Sequence, residues 1–428
     1  MSLMENYRRP INIVALINLM AFSLLYFYQQ PYDHRIIIVG VLMTGIVYLT
    51  NILMIKLKYE DEILFLIVSM LASVGLIILY RLDPVLGYKQ LAWFVLGNVL
   101  FFCGAYIYRK LTIWDQLIYV YPVLSLILFC LTLLFGTKIK GATNWIMIGS
   151  IGFQPSEIIK LLFIFFIAAY YRHPDKLTIN NFPWYRRKIK LDSKYVFMFL
   201  VYLHIGFLAA QRELGTGLLF LLIYLIMLYV FDSNFKFFLA NMGMVLLGGL
   251  AGFAFVHHVQ VRFMAWMNPW ADVAGKGYQI TQSLFTIGAG NFFNTNIGLG
   301  HPEYIPEVTT DFIFSAICEE LGVFGGVAVV LLDFILVYRG IKITLNIKDC
   351  FHKAVALGIS VMLGLQSFII IGGVIKLIPL TGITLPFISY GGSSLTTSFI
   401  ALGILQAASF KAVGEEVADA AEIQQENN

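Results

Sequence analysis

The chain has 428 residues, of which 59% are hydrophobic and only 13% charged, with a net charge of +4 and a mean hydropathy of +0.81. A soluble protein carries about 25% charged residues, so a water-soluble globule is excluded and a polytopic membrane protein is indicated. The small basic excess is spread over many loops, which argues against a nucleic-acid partner.

A helix needs about 20 mostly apolar residues to cross the hydrocarbon core. Such runs lie near 11–29, 35–56, 62–80, 90–108, 116–135, 157–171, 195–211, 215–231, 237–257, 311–338, 354–375 and 388–408. The expected fold class is therefore all-α and polytopic, with about twelve transmembrane helices. The first run follows Arg8 and Arg9 without a small-residue cleavage site, and a second span follows at once. It reads as a retained helix rather than a signal peptide. Lys and Arg gather on the cytoplasmic side of membrane proteins. A cytoplasmic N-terminus places Arg8, Arg9, Lys56, Lys58, Arg109, Lys110, Arg172, Arg186, Arg187, Lys188 and Lys190 inside, so both termini are assigned there. No pair among Cys103, Cys130, Cys318 and Cys350 has metal-ligand spacing or the look of a disulfide framework.

Two outside segments break the pattern of short loops. Residues 136–156 are semi-polar, and Gly149 and Gly152 interrupt any helix. They are expected to lie on the surface or to dip into the membrane under a cover of protein or water. Residues 258–310 form the largest external loop, without obvious secondary structure, and loops of that length are usually functional. Its Trp266, Trp270, Tyr278, Phe292 and Phe293 suit a membrane interface. The tail from Lys411 to Asn428 is acidic and polar and is expected to be disordered.

Chemistry concentrates at few places. Asp311 stands where the long polar loop ends and an apolar run begins. It has two readings: a residue that opens a helix and complements its dipole, or an ionised acid at the membrane surface facing a lipid-borne substrate. Glu157 and Lys160 stand three apart and share a helix face. An unpaired charge there is costly, so they read as an ion pair, structural or substrate-facing. Glu319 and Glu320 are expected mid-span, about 12–14 Å below Asp311 at 1.5 Å per residue. Glu319 should keep nearer the Asp311 face and Glu320 point away from it. The break at Arg212–Thr216 puts Glu213 at the outer surface. From Ile378 to Ser394, Pro379, Pro386 and the pair Gly391-Gly392 cannot continue a regular helix. This stretch reads either as a broken, re-entrant element lining something polar or as a site of tight small-residue packing.

Five blocks then occur in order. They are Gly141–Trp145 with Gln154–Glu157, Gln211–Thr216, Tyr278–Ser283, Thr310–Phe314 with Glu319–Gly322, and Pro379–Gly382 through Ser389–Ser394. Together they resemble the SEDS family (FtsW, RodA and SpoVE), bacterial peptidoglycan polymerases, over residues 62–408. The family core has ten spans, so residues 1–61 would be an added pair of helices, 62–410 the polymerase core and 411–428 a cytoplasmic tail. The added pair carries no acid within either span and is expected to be dispensable for chemistry.

The resemblance implies a multi-pass protein of the bacterial cytoplasmic membrane that polymerises lipid II at its outer face, with Asp311 as the essential acid. On the same grounds the substrate-binding residues are expected to be Trp145, Glu157, Lys160, Glu213, Gln279, Glu307, Thr310, Ser389, Gly391, Gly392 and Ser393. The sequence departs from the family pattern at several points. Thr309 stands where a histidine is common, Glu213 where an aspartate is usual, Asn144 where a basic residue is usual and Ile370 where an asparagine is common. Lys160, Arg81 and Lys138 are the candidate cations for a diphosphate. No metal-ligand spacing occurs and no cofactor is certain, although a divalent cation could accompany the diphosphate. The implied partners are lipid II, a class B penicillin-binding protein (a transpeptidase) and other cell-wall machinery. Two other classes stay open: a lipid II flippase, its acids and broken helices lining a transport path, and a scaffold without chemistry. Elongation, division and sporulation are not distinguished.

Overall fold

The structure is a computed structural model and describes residues 2–28, 32–59, 61–139, 141–149, 151–184, 187–292 and 297–426. In chain order the elements are α1 (Ser2–Tyr28), α2 (Arg35–Lys56), α3 (Glu62–Leu82), α4 (Pro84–Lys110), α5 (Val120–Phe135), β1 (Thr137–Ile139), β2 (Ala142–Ile148), β3 (Ile151–Phe153), α6 (Pro155–Arg172), β4 (Ile179–Trp184), β5 (Arg187–Leu191), α7 (Ser193–Ala210), α8 (Leu214–Phe231), α9 (Phe235–Phe255), α10 (His257–Met267), α11 (Tyr278–Ala289), α12 (Ile313–Asn346), α13 (Cys350–Val374) and α14 (Gly392–Glu426).

Every apolar run read from the sequence is a helix. Among the described residues ten helices are long and apolar enough to cross a membrane. The fold is thus mostly helical and polytopic. Of the remaining two, α5 has 16 residues, and α6 has 18 but carries Glu157, Lys160 and Arg172.

Four features differ from the sequence expectation. Within the 136–156 segment β1, β2 and β3 form an antiparallel meander, with Lys138 opposite Thr143 and Met147 opposite Gly152. Gly141 and Gly149 have positive φ of 85° and 64°, backbone that glycine adopts without steric cost. A second hairpin, β4–β5, pairs Phe182 with Ile189 and carries most of the basic cluster, whose Arg186 lies outside the described residues, as does Phe293. The long loop before α12 contains α10 and α11. The tail is helical to Glu426 rather than disordered, in keeping with the strong helix propensity of its alanines and glutamates.

By packing, the chain divides into two units. The first comprises Met1–Phe102, Val245–Arg339 and Gln366–Leu402. Its centre is α3, buried along most of its length. Asp61 accepts a hydrogen bond from the Leu64 N–H to cap α3 and pairs with Arg339 at 2.8 Å. Gly75 on α3 lies directly against the backbone of Ile388; a β-carbon there would fall 2.5 Å from its carbonyl oxygen. Gly392 lies as closely against the Trp93 indole. These contacts hold the non-helical stretch before α14 against α3 and α4. Within this unit α12 is interrupted at Gly322, whose φ of 71° and ψ of 178° end one helical run and start another.

The second unit comprises Cys103–Met244, Gly340–Leu365 and Gly403–Asn428. Its centre is α6, with Ile159, Phe163, Ile164, Phe166 and Ile167 fully buried. Phe163 stacks on Phe220 at 4.5 Å between ring centres, and Tyr170 on Phe197 at 3.8 Å. The His204 ring sits among Phe129, Phe163 and Phe166, its Nδ1 2.7 Å from the Leu200 carbonyl.

Candidate active site

Asp311 sits in a turn rather than in a helix. The carbonyl of Glu307 accepts the N–H groups of Thr310, Asp311 and Phe312, at 3.1, 3.1 and 3.3 Å. Glu307 itself adopts a left-handed φ of 62°, an uncommon conformation for a non-glycine residue. The helix α12 starts at Ile313, two residues beyond the start expected from the sequence. The acid is therefore presented by a tight, closed turn and is half-buried.

The stretch between α13 and α14 clamps this turn. Ser389 Oγ donates to the Thr310 carbonyl at 2.6 Å and accepts the Leu385 N–H at 2.8 Å. The Tyr390 N–H donates to the Thr309 carbonyl at 2.9 Å. Gln90 Nε2 in turn donates to the Ser389 carbonyl at 3.1 Å. Thr384 is tied to Ser394 at 2.7 Å and to Gln366 at 2.9 Å. The broken element expected here is thus present, and it bears directly on the backbone around Asp311.

Gly382 and Arg262 complete the surroundings of the acid. Gly382 has φ of 74°, and a β-carbon placed on it would lie 3.3 Å from Asp311 Oδ2 and 3.7 Å from Arg262 Nη2. Arg262, on α10, donates from Nη1 to the Thr381 carbonyl at 2.9 Å. Trp266, one turn further, donates from Nε1 to the Lys376 carbonyl at 3.1 Å. Arg262 and Asp311 are close enough for their charges to interact. The sequence reading gave Arg262 no role in the site. Its spacing of four from Trp266, which gives one helix face an aromatic and a cation, was the signal available.

The expected substrate residues fall into two groups. Glu307, Thr310 and Ser389 gather around Asp311, and Thr310 Oγ1 also reaches Glu307 Oε2 at 3.3 Å. Gly391 precedes α14, while Gly392 and a buried Ser393 begin it. Gln279 is half-buried on α11, whose Ser283 binds Ser315 at 2.8 Å and the Val374 carbonyl at 3.0 Å. Trp145, Glu157, Lys160 and Glu213 belong to the second unit. There Lys160 Nζ meets Glu157 Oε2 at 2.7 Å, with both side chains buried. Glu213 precedes α8 and accepts from Gln154 Nε2 at 2.8 Å. Burial pushes its carboxyl above the usual range, opposed by hydrogen bonds from Asn144, Gln154 and Ser156, with nearby Glu157 adding to the rise. Trp145 is half-buried on β2, opposite Thr137, its ring over Gly152.

Glu319 and Glu320 stand near the end of the first run of α12, just before the break at Gly322, and both bind the loop that precedes Asp311. Glu319 Oε1 accepts the His301 N–H at 2.9 Å. Glu320 Oε2 accepts the Gly298 N–H, and its Oε1 lies 2.8 Å from Arg81 Nε. Arg81 also holds Glu303 at 3.0 Å and the Gly300 carbonyl. Burial would raise the Glu303 carboxyl, but hydrogen bonds from His301, its own backbone and Arg81 outweigh this and hold it below the usual range. Arg81 is thus committed to the loop, and Lys138 lies on the exposed strand β1. Among the described residues no three His, Cys, Asp or Glu side chains gather to hold a metal ion.

Known proteins resemble this chain over most of its length. The FtsW/RodA/SpoVE family model, described as "Cell cycle protein", matches residues 61–413. The chain is 32% identical over 371 residues to the peptidoglycan glycosyltransferase RodA of Mycobacterium tuberculosis, covering 81% of this chain and 77% of that one. It is 34% identical over 368 residues to the stage V sporulation protein E of Bacillus subtilis, covering 82% and 97%. Among solved structures it is similar to a chain from a study of a peptidoglycan synthase complex that coordinates polymerization and crosslinking. The TM-score is 0.67 and the identity 27%, over 82% of this chain and 98% of that one. It is also similar to the rod shape determining protein RodA of Thermus thermophilus, with a TM-score of 0.58 and 26% identity over 82% and 96%. The chain belongs to the FtsW/RodA/SpoVE family.

Proposed function

We propose that the chain is a peptidoglycan glycosyltransferase of the bacterial cytoplasmic membrane that polymerises lipid II, with Asp311 as general base. The observation that carries this is the turn that presents Asp311. It is closed on the Glu307 carbonyl, clamped by Ser389 and Tyr390, and lies beside Gly382 and a guanidinium. Kinship with proteins named peptidoglycan glycosyltransferase supplies the substrate class.

The chemistry needs one carboxylate. Lipid II holds its disaccharide on undecaprenyl diphosphate through an α linkage, and the polymer is β-1,4-linked. A single displacement at the anomeric carbon inverts it. The acceptor 4-hydroxyl attacks, its proton passes to Asp311, and the C1–oxygen bond breaks with its electron pair leaving on the diphosphate. Diphosphate departs without protonation, unlike the alkoxide that obliges a glycosidase to supply a second carboxyl. A well-placed base contributes about 10²–10⁴-fold, and positioning and charge stabilisation supply the rest.

Transport drew its support from two acids read as lying mid-span. Glu320 is engaged with Arg81 and the Gly298 N–H and Glu319 with the His301 N–H, which favours the enzyme reading. The partner that fits the reaction is a class B penicillin-binding protein, a transpeptidase that would cross-link the strands. The test is glycan synthesis from purified lipid II, with and without that partner, by wild type and Asp311→Asn. Repeating it with EDTA and with added Mg²⁺ decides whether a divalent cation accompanies the diphosphate.

A further inference from the structure

The sequence offers three candidate cations for the leaving diphosphate, and no described contact places any of them beside Asp311. Arg81 spends its guanidinium on Glu303, Glu320 and the Gly300 carbonyl. Lys160 is paired with Glu157 at 2.7 Å. Lys138 lies on exposed β1. Arg262 is different. It is exposed, and its Nη2 and Asp311 Oδ2 both lie within 4 Å of the position a Gly382 β-carbon would occupy.

Three details turn this proximity into a built arrangement. First, Arg262 Nη1 is held by the Thr381 carbonyl, which aims the guanidinium while Nη2 stays on the Gly382 side. Second, Trp266 on the same face of α10 is fixed to the Lys376 carbonyl, so the helix is tied at two points to the segment that carries Gly382. Third, Gly382 puts no side chain beside the acid and the cation, at a φ of 74° that disfavours one. A base and a cation next to the same glycine suit a displacement in which a proton leaves to one group and negative charge develops by the other.

We propose that Arg262 is a catalytic residue that binds the diphosphate of the glycan donor and stabilises the charge developing on it as the C1–oxygen bond breaks. The inference rests on the polymerase reading and deepens it. Guanidinium suits the role because it gives paired N–H donors to phosphate oxygens and stays charged.

The experiment uses full-length protein in detergent, with its transpeptidase partner, and two readouts: polymerisation of lipid II, and binding of undecaprenyl diphosphate, the product, against undecaprenyl monophosphate. Arg262→Gln should lower kcat by about 100-fold, the scale of losing one preorganised charge-stabilising donor. It should weaken diphosphate binding at least tenfold with little change for monophosphate, and Arg262→Lys should recover part of both. Asp311→Asn should abolish turnover yet bind the diphosphate at least as tightly as wild type does. Should Arg262→Gln bind diphosphate like wild type, whatever its turnover, the role assigned to Arg262 is overturned. Lost binding that Arg262→Lys does not improve, with a lowered unfolding temperature in both variants, overturns it too, in favour of a structural role. Wild type that makes no glycan would instead overturn the polymerase reading itself, which keeps the two failures distinct.

Discussion

Replacing Arg81 by Met should unfasten the loop that leads to Asp311, and the structure sets the size of the effect. The Arg81 side chain is 12% exposed and Glu320 is 0% exposed, at 2.8 Å, so the pair is buried. Removing one partner of such a pair costs about 3–5 kcal/mol, because the other charge is left without compensation. The Gly298 N–H remains for Glu320 and softens the loss. Glu303 is 49% exposed, so its share is about 0–1 kcal/mol. At about 1.4 kcal/mol per tenfold, Arg81→Met should speed hydrogen exchange of residues 297–312 by roughly 100- to 1000-fold, whereas Glu303→Gln should change it by less than about fivefold. The double variant Arg81→Met/Glu320→Met should exchange more slowly than Arg81→Met alone, since no buried charge is left. Exchange by mass spectrometry in detergent measures all three. Arg81→Met exchanging no faster than Glu303→Gln, or a double variant worse than both single ones, would refute the reasoning.

Two further outcomes follow from the same geometry. Ser389→Ala removes the hydroxyl that links the Leu385 N–H to the Thr310 carbonyl. It should lower kcat about tenfold, for roughly 1–2 kcal/mol, with KM for lipid II little changed; an unchanged kcat in steady-state assays would show that the clamp does not position the acid. Glu157→Gln and Lys160→Met should each lower the unfolding temperature more than the two together, because each single change leaves a buried charge unpaired; a double variant less stable than either single one would show that the pair is net stabilising in itself.

The sequence was most legible where hydrophobicity alone decides. The twelve apolar runs are helices because nothing but a helix satisfies the backbone of such a run in lipid. The strands at 137–153 were not legible. Two of the three have only three residues, too short for an alternating pattern to register. For the acids of α12 a linear reading could not supply the partners, since Arg81 and the N–H groups of Gly298 and His301 meet them only through packing. Asp311 itself was legible as the acid at the junction of loop and helix. What a linear reading could not supply was its company. Ser389, Gly382 and Arg262 are distant in sequence and meet only through the packing of α10 and the 376–391 stretch on the Asp311 turn.

The central claim is that Asp311 takes the proton from the attacking hydroxyl. It is tested most directly by purified Asp311→Asn in detergent, where no membrane barrier exists, given lipid II and the transpeptidase partner. The substitution removes charge at constant volume, so the protein should unfold at the wild-type temperature and still bind lipid II. The account predicts glycan strands from wild type and none from Asp311→Asn. Wild-type polymerisation by a well-folded Asp311→Asn protein would contradict the base assignment. Lipid II movement across sealed vesicles, insensitive to Asp311→Asn and with no polymer from wild type in detergent, would contradict the enzyme reading as a whole.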